Sequence, residues 1–325
     1  MGPDEYHGKT DNNVYTNVVA GLAIYFGQYS SCVGGCPELP SAWLEVAANL
    51  ALEYSEAENY HPQYRGYEPG TEVKQADTVL VGFPLMYDME SSTRSNDLDI
   101  YEAVTDLVRN QSHNVLLYKF VSNITMNILS VTFSFQNGPA MTWSMQAVGH
   151  LELGEEQQAA GMFNRSYLPY VQVDKHFEHY KTSQPPFYMW TEVQGGEGAV
   201  NFITGMGGFL QAVLFGYLGV RARLDRMDLD PKLPPGCSVL KMQGLQLHGS
   251  TLHLSVEEEV VVVEVEEVRT GLEVVQGEDS WVVVEPVTVS LARAPFSLRP
   301  LEVEYLERCS LPRDVIGGGQ VTEEV

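Results

Sequence analysis

The chain has 325 residues, 44% of them hydrophobic and 10% aromatic, which is enough apolar material for one large core or two smaller ones and is not a disordered composition. Its 43 acidic against 19 basic residues give a formal charge of −24, which repels polyphosphates and anionic membrane surfaces and makes nucleic acid an unsuitable partner. No apolar run reaches the roughly 18 residues of a membrane span, and no basic segment followed by an apolar one stands at the start.

From Val14 to Tyr29 the residues Val14, Val18, Leu22, Tyr25 and Phe26 recur at the spacing of one helical face. Ser41 is expected to cap a second helix carrying Trp43, Leu44, Ala47 and Ala48, and a shorter one is expected to begin near Lys74. Asn96 or Asp97 is expected to open a further helix through Ile100 and Val104. Residues Met141–Leu153 and Glu155–Tyr167 read as a helical pair broken at Gly154, and Gly208–Val220 as another helix. After the Pro231–Gly236 punctuation the pattern changes to period two with β-branched residues. Short strands are expected at Leu245–Val256, Val260–Val268, Leu272–Val275, Trp281–Val284 and Val287–Leu291, separated by glycines. The alternation Val263-Glu264-Val265-Glu266 marks a solvated sheet face. The tail 312–325 is expected to be disordered. A stretch rich in β-branched and aromatic residues, 106–136, interrupts the helical region and reads as an insertion or as translated intron. Its sequons at Asn110 and Asn123 matter only in a secreted protein. Cys32, Cys36, Cys237 and Cys309 are too few and too scattered for a disulfide framework or a zinc finger, and read as reduced thiols.

Glycosidic cleavage with inversion needs a protonated carboxyl at the leaving oxygen and a carboxylate that activates water on the opposite face. Glu5 stands out because a Gly-Pro turn presents it beside Asp4, Tyr6 and His7; the other reading is a solvated acidic turn. Glu192 follows the aromatics Phe187, Tyr188 and Trp190 and precedes a glycine-rich loop, a setting that shelters a carboxylate and offers apolar platforms to sugar faces. Glu197 competes with it, whereas Glu152, Glu155 and Glu156 read as surface charges. Lys74-Gln75 offers a cation and an amide suited to sugar hydroxyls, or is a plain surface pair. Gly205-Met206-Gly207-Gly208 opens a helix, where backbone N–H groups could hold an anion or where a loop packs closely against a helix.

The motif Gly2-Pro3-Asp4-Glu5-Tyr6-His7, followed by Asp11-Asn12-Asn13-Val14-Tyr15-Thr16-Asn17, resembles the general-acid segment of glycoside hydrolase family 65. The segments Val73–Asp77, Gly138–Trp143, Trp190-Thr191-Glu192 and Asn201–Gly216 continue the resemblance in order, so that it covers about 1–220. It implies a mainly α fold, the C-terminal part of an (α/α)₆ barrel over 1–230, followed by a small β-sandwich over 237–305. It implies Glu5 as general acid, Glu192 as general base, and Lys74 and Gln75 as holders of the departing glucose. The implied activity is an inverting exo-α-glucosidase acting on a small glycoside, with the acid-trehalase-like members that act on the glucosyl-galactosyl-hydroxylysine of collagen the nearest in pattern. Metal and organic cofactors are not expected, and the expected compartment is the cytoplasm. A disaccharide phosphorylase, a trehalase or a noncatalytic fragment are the alternatives. The family's N-terminal sandwich and first barrel half have no counterpart in these 325 residues, so the chain reads as the C-terminal portion of a longer enzyme.

Overall fold

The computed structural model describes residues 2–105, 140–173, 188–194, 198–223 and 225–301. The expected insertion with its sequons, the competitor Glu197, Cys309 and the tail lie outside them.

Helix α1 spans Val14–Val33, and its buried residues Val14, Val18, Gly21 and Tyr25 form one stripe. Asn13 caps it, its side chain accepting from the Thr16 amide at 3.0 Å. Helix α2 (Ser41–Ala48) has Pro40, not Ser41, at the cap position, and Lys74 lies in a loop that reaches a single helical turn, α3, only at Val79–Gly82. Helix α4 begins at Ser91 and ends at Val104, several residues before the expected start. The expected start at Asn96 or Asp97 is late because Thr93 and Arg94, ahead of it, are buried on tertiary partners. Asp97, fully buried, accepts from the His61 backbone at 2.8 Å and lies 2.9 Å from the His61 ring, while the nearly buried Arg94 turns inward. Helices α5 (Trp143–Glu152) and α6 (Glu156–Tyr167) meet across Gly154 at φ +76°, as expected. Helix α7 (Ile203–Gln211) continues as a π-helical segment, Ala212–Tyr217. Tyr60, Leu98, Tyr101, Val148, Leu151, Phe163 and Tyr217 build the helical core.

Strands β1 (Val171–Val173) and β2 (Tyr188–Trp190) form a small antiparallel ribbon. The remaining strands are β3 (Arg221–Ala222), β4 (Met227–Leu229), β5 (Leu240–Leu247), β6 (Ser250–Val256), β7 (Val260–Glu267), β8 (Leu272–Gln276), β9 (Asp279–Val283), β10 (Val287–Ala292) and β11 (Phe296–Pro300). They form two antiparallel sheets, ordered β10-β7-β6-β5 and β3-β4-β11-β8-β9. Leu252, Leu254, Val263 and Val265 from the first sheet and Leu272, Val274 and Leu298 from the second share one buried core, a sandwich. Glu264 and Glu266 face solvent, as their alternation requires. The β5–β6 hairpin closes on His248 (φ +48°) and Gly249 (φ +82°), a two-residue turn whose left-handed backbone suits the strand twist. The mainly α expectation is therefore corrected: seven α-helices and a π segment stand beside eleven strands among the described residues. The sheet recruits Arg221–Ala222 and Met227–Leu229, ahead of the proline-rich punctuation, because the two strands pair with each other and Met227–Leu229 pairs in turn with β11.

Glu152 is no plain surface charge. Its carboxylate, 28% exposed, accepts from Arg94 Nη2 at 3.1 Å and Arg221 Nη2 at 2.5 Å, tying α4, α5 and β3 together. Room for Arg94 exists because residue 82 is glycine: a Cβ there would sit 2.1 Å from the Arg94 Cζ. Glu155 likewise has a partner, the His150 ring nitrogen at 2.7 Å. Cys32 is disulfide-bonded, which corrects the reading of it as a reduced thiol, whereas Cys36 and Cys237 are free and exposed. No described helix is long and apolar enough to cross a membrane. Replacing Glu152 with Ala leaves two largely buried guanidinium groups without their shared carboxylate, so urea unfolding should show a loss of about 2 kcal/mol, less than for a fully buried pair because Glu152 is partly solvated. An unchanged midpoint would mean that the clasp contributes nothing.

Candidate active site

The Gly2–His7 segment is built on Asp4, which is 2% exposed. Its Oδ1 accepts from the Tyr6 amide at 3.1 Å and the Lys74 amide at 3.0 Å; its Oδ2 accepts from Gln63 Nε2 at 2.9 Å and lies 2.8 Å from the His7 Nδ1. A carboxylate offers about four acceptor positions, and here all are occupied. Asp4 is thus a structural anchor, while Glu5 beside it projects outward with its side chain 71% exposed. The side chain that meets Glu5 is Lys74, whose ammonium lies 2.6 Å from Oε2. Gln75 donates from Nε2 to the Pro3 carbonyl. The loop carrying Lys74 and Gln75 and the loop carrying Glu5 are therefore stitched together, which sequence spacing did not show.

Beneath them lies a second buried carboxylate. Asp77, fully buried, accepts from the Asp4 amide at 2.8 Å through Oδ1 and from Asn13 Nδ2 at 2.9 Å through Oδ2. Burial pushes its carboxyl up to about 7, with the nearby Asp4 charge acting in the same direction and the Asn13 and Asp4 hydrogen bonds opposing it. Gly2 is required at its position, since a Cβ there would lie 1.8 Å from Asp77 Oδ2.

Glu192 stands on another wall. Its carbonyl accepts from the Ala140 amide at 3.0 Å, its amide donates to the Ala199 carbonyl at 2.9 Å, and its Oε2 accepts from the Ala199 amide at 3.1 Å. The buried Thr191 before it donates to the Tyr170 carbonyl through both N (3.0 Å) and Oγ1 (3.2 Å). Trp190, Ala140 and α7 meet here, and close packing accounts for Gly205 and Gly208 of α7, though not for Gly207, where a Cβ would meet nothing. A Cβ at Gly205 would fall 2.8 Å from Trp190 Nε1, and one at Gly208 2.3 Å from Ser144 Oγ. Among the described residues Glu192 shares no hydrogen bond with Glu5, Lys74 or Gln75.

Sequence reading missed the buried supports Asp4, Asn13, Gln63 and Asp77. Asn13 carried a signal, as an N-cap residue directly ahead of the Val14 periodicity; Gln63 carried none. Because folded Asp77 keeps its proton up to about pH 7, against an ordinary value of 3.8, the folded state binds the extra proton between these limits. The stability that this proton contributes is complete below the lower limit and lost as pH rises through the upper one. Unfolding free energies measured from pH 4 to 8 should fall with pH more steeply in the wild type than in Asp77→Asn; parallel curves would contradict the raised carboxyl.

No family model matches the chain. Among curated proteins, the protein-glucosylgalactosylhydroxylysine glucosidase of Gallus gallus is 40% identical over 259 residues, covering 80% of this chain and 31% of the relative. The Danio rerio protein of the same name is 36% identical over 299 residues, covering 90% and 39%. The cell wall acid trehalase of Arthroderma benhamiae is 30% identical over 260 residues, covering 78% and 21%. A solved structure described as a putative kojibiose phosphorylase from human microbiome matches with a TM-score of 0.57 at 12% identity, over 90% of this chain and 39% of that one, a likeness of fold. The chain spans 31% to 39% of the length of these two glucosidases. With relatives 36–40% identical over 80–90% of its length, the chain belongs to glycoside hydrolase family 65.

Proposed function

We propose that the protein carrying this chain is an inverting exo-α-glucosidase that releases terminal α-linked glucose from glucosyl-galactosyl-hydroxylysine, the collagen disaccharide. Glu5 gives its proton to the leaving glycosidic oxygen. Glu192 takes a proton from water, which attacks the anomeric carbon from the opposite face and yields β-glucose. Lys74 and Gln75 hold the hydroxyls of the departing glucose. Neither metal nor organic cofactor enters this scheme.

The observation that carries the reading is the joint between the two loops, with the Lys74 ammonium 2.6 Å from Glu5 and Gln75 on the Pro3 carbonyl. A cation and an amide suited to sugar hydroxyls thus stand beside an exposed carboxyl. The ammonium that sits on Glu5 must move to a hydroxyl when glucose enters. Glu192 supports the second role because its carboxylate is held by a backbone amide on an element separate from the Glu5 loop; inversion would require the two carboxyls to stand roughly 6.5–9.5 Å apart. The names of the glucosidase relatives support the substrate, and the trehalase relatives favour trehalose as the second candidate.

Glu5→Gln and Glu192→Gln, made in the longest chain that contains this segment, should each lower kcat by about 10³-fold. Near wild-type turnover in either variant would remove that residue from the mechanism. Incubated with glucosyl-galactosyl-hydroxylysine, the wild type should release glucose that appears first as the β anomer by ¹H NMR, at a rate independent of phosphate, whereas trehalose, if it is cleaved, should give β- and α-glucose in equal amounts because only the attacked half inverts. Glucose 1-phosphate as the product would identify a phosphorylase instead, and first-formed α-glucose from glucosyl-galactosyl-hydroxylysine, or α-glucose alone from trehalose, would identify a retaining enzyme. Running the 325-residue chain in parallel shows whether it is catalytic by itself or contributes only part of the site.

A further inference from the structure

Four buried side chains lie behind Glu5, and none can reach a ligand: Asp4 is 2% exposed, Asn13 5%, and Gln63 and Asp77 0%. They form a closed circuit. Asp77 Oδ1 accepts from the Asp4 amide, Asp4 Oδ2 accepts from Gln63 Nε2, and Gln63 Oε1 accepts from the Asp77 amide at 3.0 Å. A branch leaves Asp77 Oδ2 for Asn13 Nδ2, and Asn13 Oδ1 in turn caps α1 through the Thr16 amide and hydroxyl, each at 3.0 Å. Asp4 Oδ1 then accepts the backbone amide of Lys74. The backbone of residue 4, which aims Glu5, and the backbone of residue 74, which aims the ammonium, are therefore referred to one buried point.

We propose that Asp77 is a positioning residue for the general acid: acting through Asp4, it sets the relative placement of Glu5 and Lys74 and so the line along which the proton reaches the glycosidic oxygen. This deepens the function proposed above and rests on Glu5 being its acid. Glu5, most of whose side chain is in solvent, has little packing of its own to orient it, so its direction comes from the backbone that Asp77 grips. The chemistry of position 77 is specific. When Asp77 is ionised, above about pH 7, both oxygens accept, one from the Asp4 amide and one from the Asn13 amide group. An asparagine there provides one acceptor and one donor. Its NH₂ would face either the Asp4 N–H or the Asn13 NH₂, and if Asn13 turned to accommodate it, the α1 cap would be lost. Making Asn13→Asp and Asp77→Asn together restores every bond. The amide now at position 77 accepts from the Asp4 N–H and donates to the carboxylate now at position 13, which still accepts from Thr16, aspartate being a good N-cap.

The test measures glucose release at about pH 8, where Asp77 is ionised, by the longest chain containing this segment in four forms: wild type, Asp77→Asn, the exchange Asn13→Asp with Asp77→Asn, and Glu5→Gln. Misplacing an acid by about 1 Å costs on the order of 100-fold. Asp77→Asn should therefore lose about 100-fold in kcat with KM changed less than about threefold, and the exchange should recover kcat to within about threefold of wild type. A purely structural role for Asp77 would lower the unfolding midpoint and leave kcat per folded molecule unchanged. Should the single variant fail to fold, the exchange variant decides: folded with near wild-type kcat, it supports the proposal; folded and slow, it overturns it. If Asp77→Asn folds and turns over like wild type while Glu5→Gln is inactive, positioning by Asp77 is wrong and the acid assignment stands. If Glu5→Gln turns over normally, the acid assignment is wrong and the positioning falls with it.

Discussion

Two carboxylates buried next to each other, Asp4 and Asp77, are the constraint on which the site depends. Charges removed from water are costly unless every lone pair finds a donor. Here the donors come from four separate places in the chain: the α1 cap Asn13, the side chain of Gln63, the Lys74 amide and the loop's own amides. Satisfying the carboxylates therefore means bringing those places together, and this is what puts Lys74 against Glu5. The raised carboxyl of Asp77 reflects the same fact, since burial acts first and the neighbouring Asp4 charge adds to it.

The same logic recurs farther along the chain. Arg94 runs inward past Gly82 and shares Glu152 with Arg221, and Asp97 meets His61 through both backbone and ring. In each case a polar residue that would ordinarily face water is buried because a partner from a distant segment meets it there. These pairs bind the helical part internally and, through Arg221, to the first strand of the five-stranded sheet. A cavity of about 600 Å³ opens at this junction, lined by Glu152, Arg221, Asp228, Lys232 and Arg299, but neither Glu5 nor Glu192 borders it. Its arginines and lysine other than Arg299 are matched by Glu152, Asp228 and Asp230, so it reads as a seam between layers.

The wall that carries Glu192 is assembled differently. Backbone bonds to Ala140 and Ala199 hold the residue, and glycines let α7 approach Trp190 and Ser144. The acid side thus depends on buried side-chain chemistry and the Glu192 side on backbone pairing and close packing. An amide substitution is tolerable in the second setting and disruptive in the first, because a backbone bond survives a change of side chain and a two-acceptor carboxylate does not.

Periodicity alone determined much of the fold. The α1 stripe, the α5–α6 pair with its break at Gly154, and the alternating strands β6 to β10 were legible because each is specified by local pattern and turn chemistry. The candidate carboxyls Glu5 and Glu192 and the pair Lys74-Gln75 were legible as motifs. What sequence could not show is which polar residues are interior. The helix expected from Asn96 or Asp97 starts already at Ser91, where Arg94 finds distant partners, and Glu152 looked solvated and proved shared by two arginines. The overall balance also shifted, since strands β3, β4 and β11 form by pairing with one another across the chain, without a strong pattern of their own. The meeting of Glu5 with Lys74 was decided only by tertiary structure, because it depends on hydrogen bonds among residues 4, 13, 63 and 77, and no local rule of sequence connects positions so far apart.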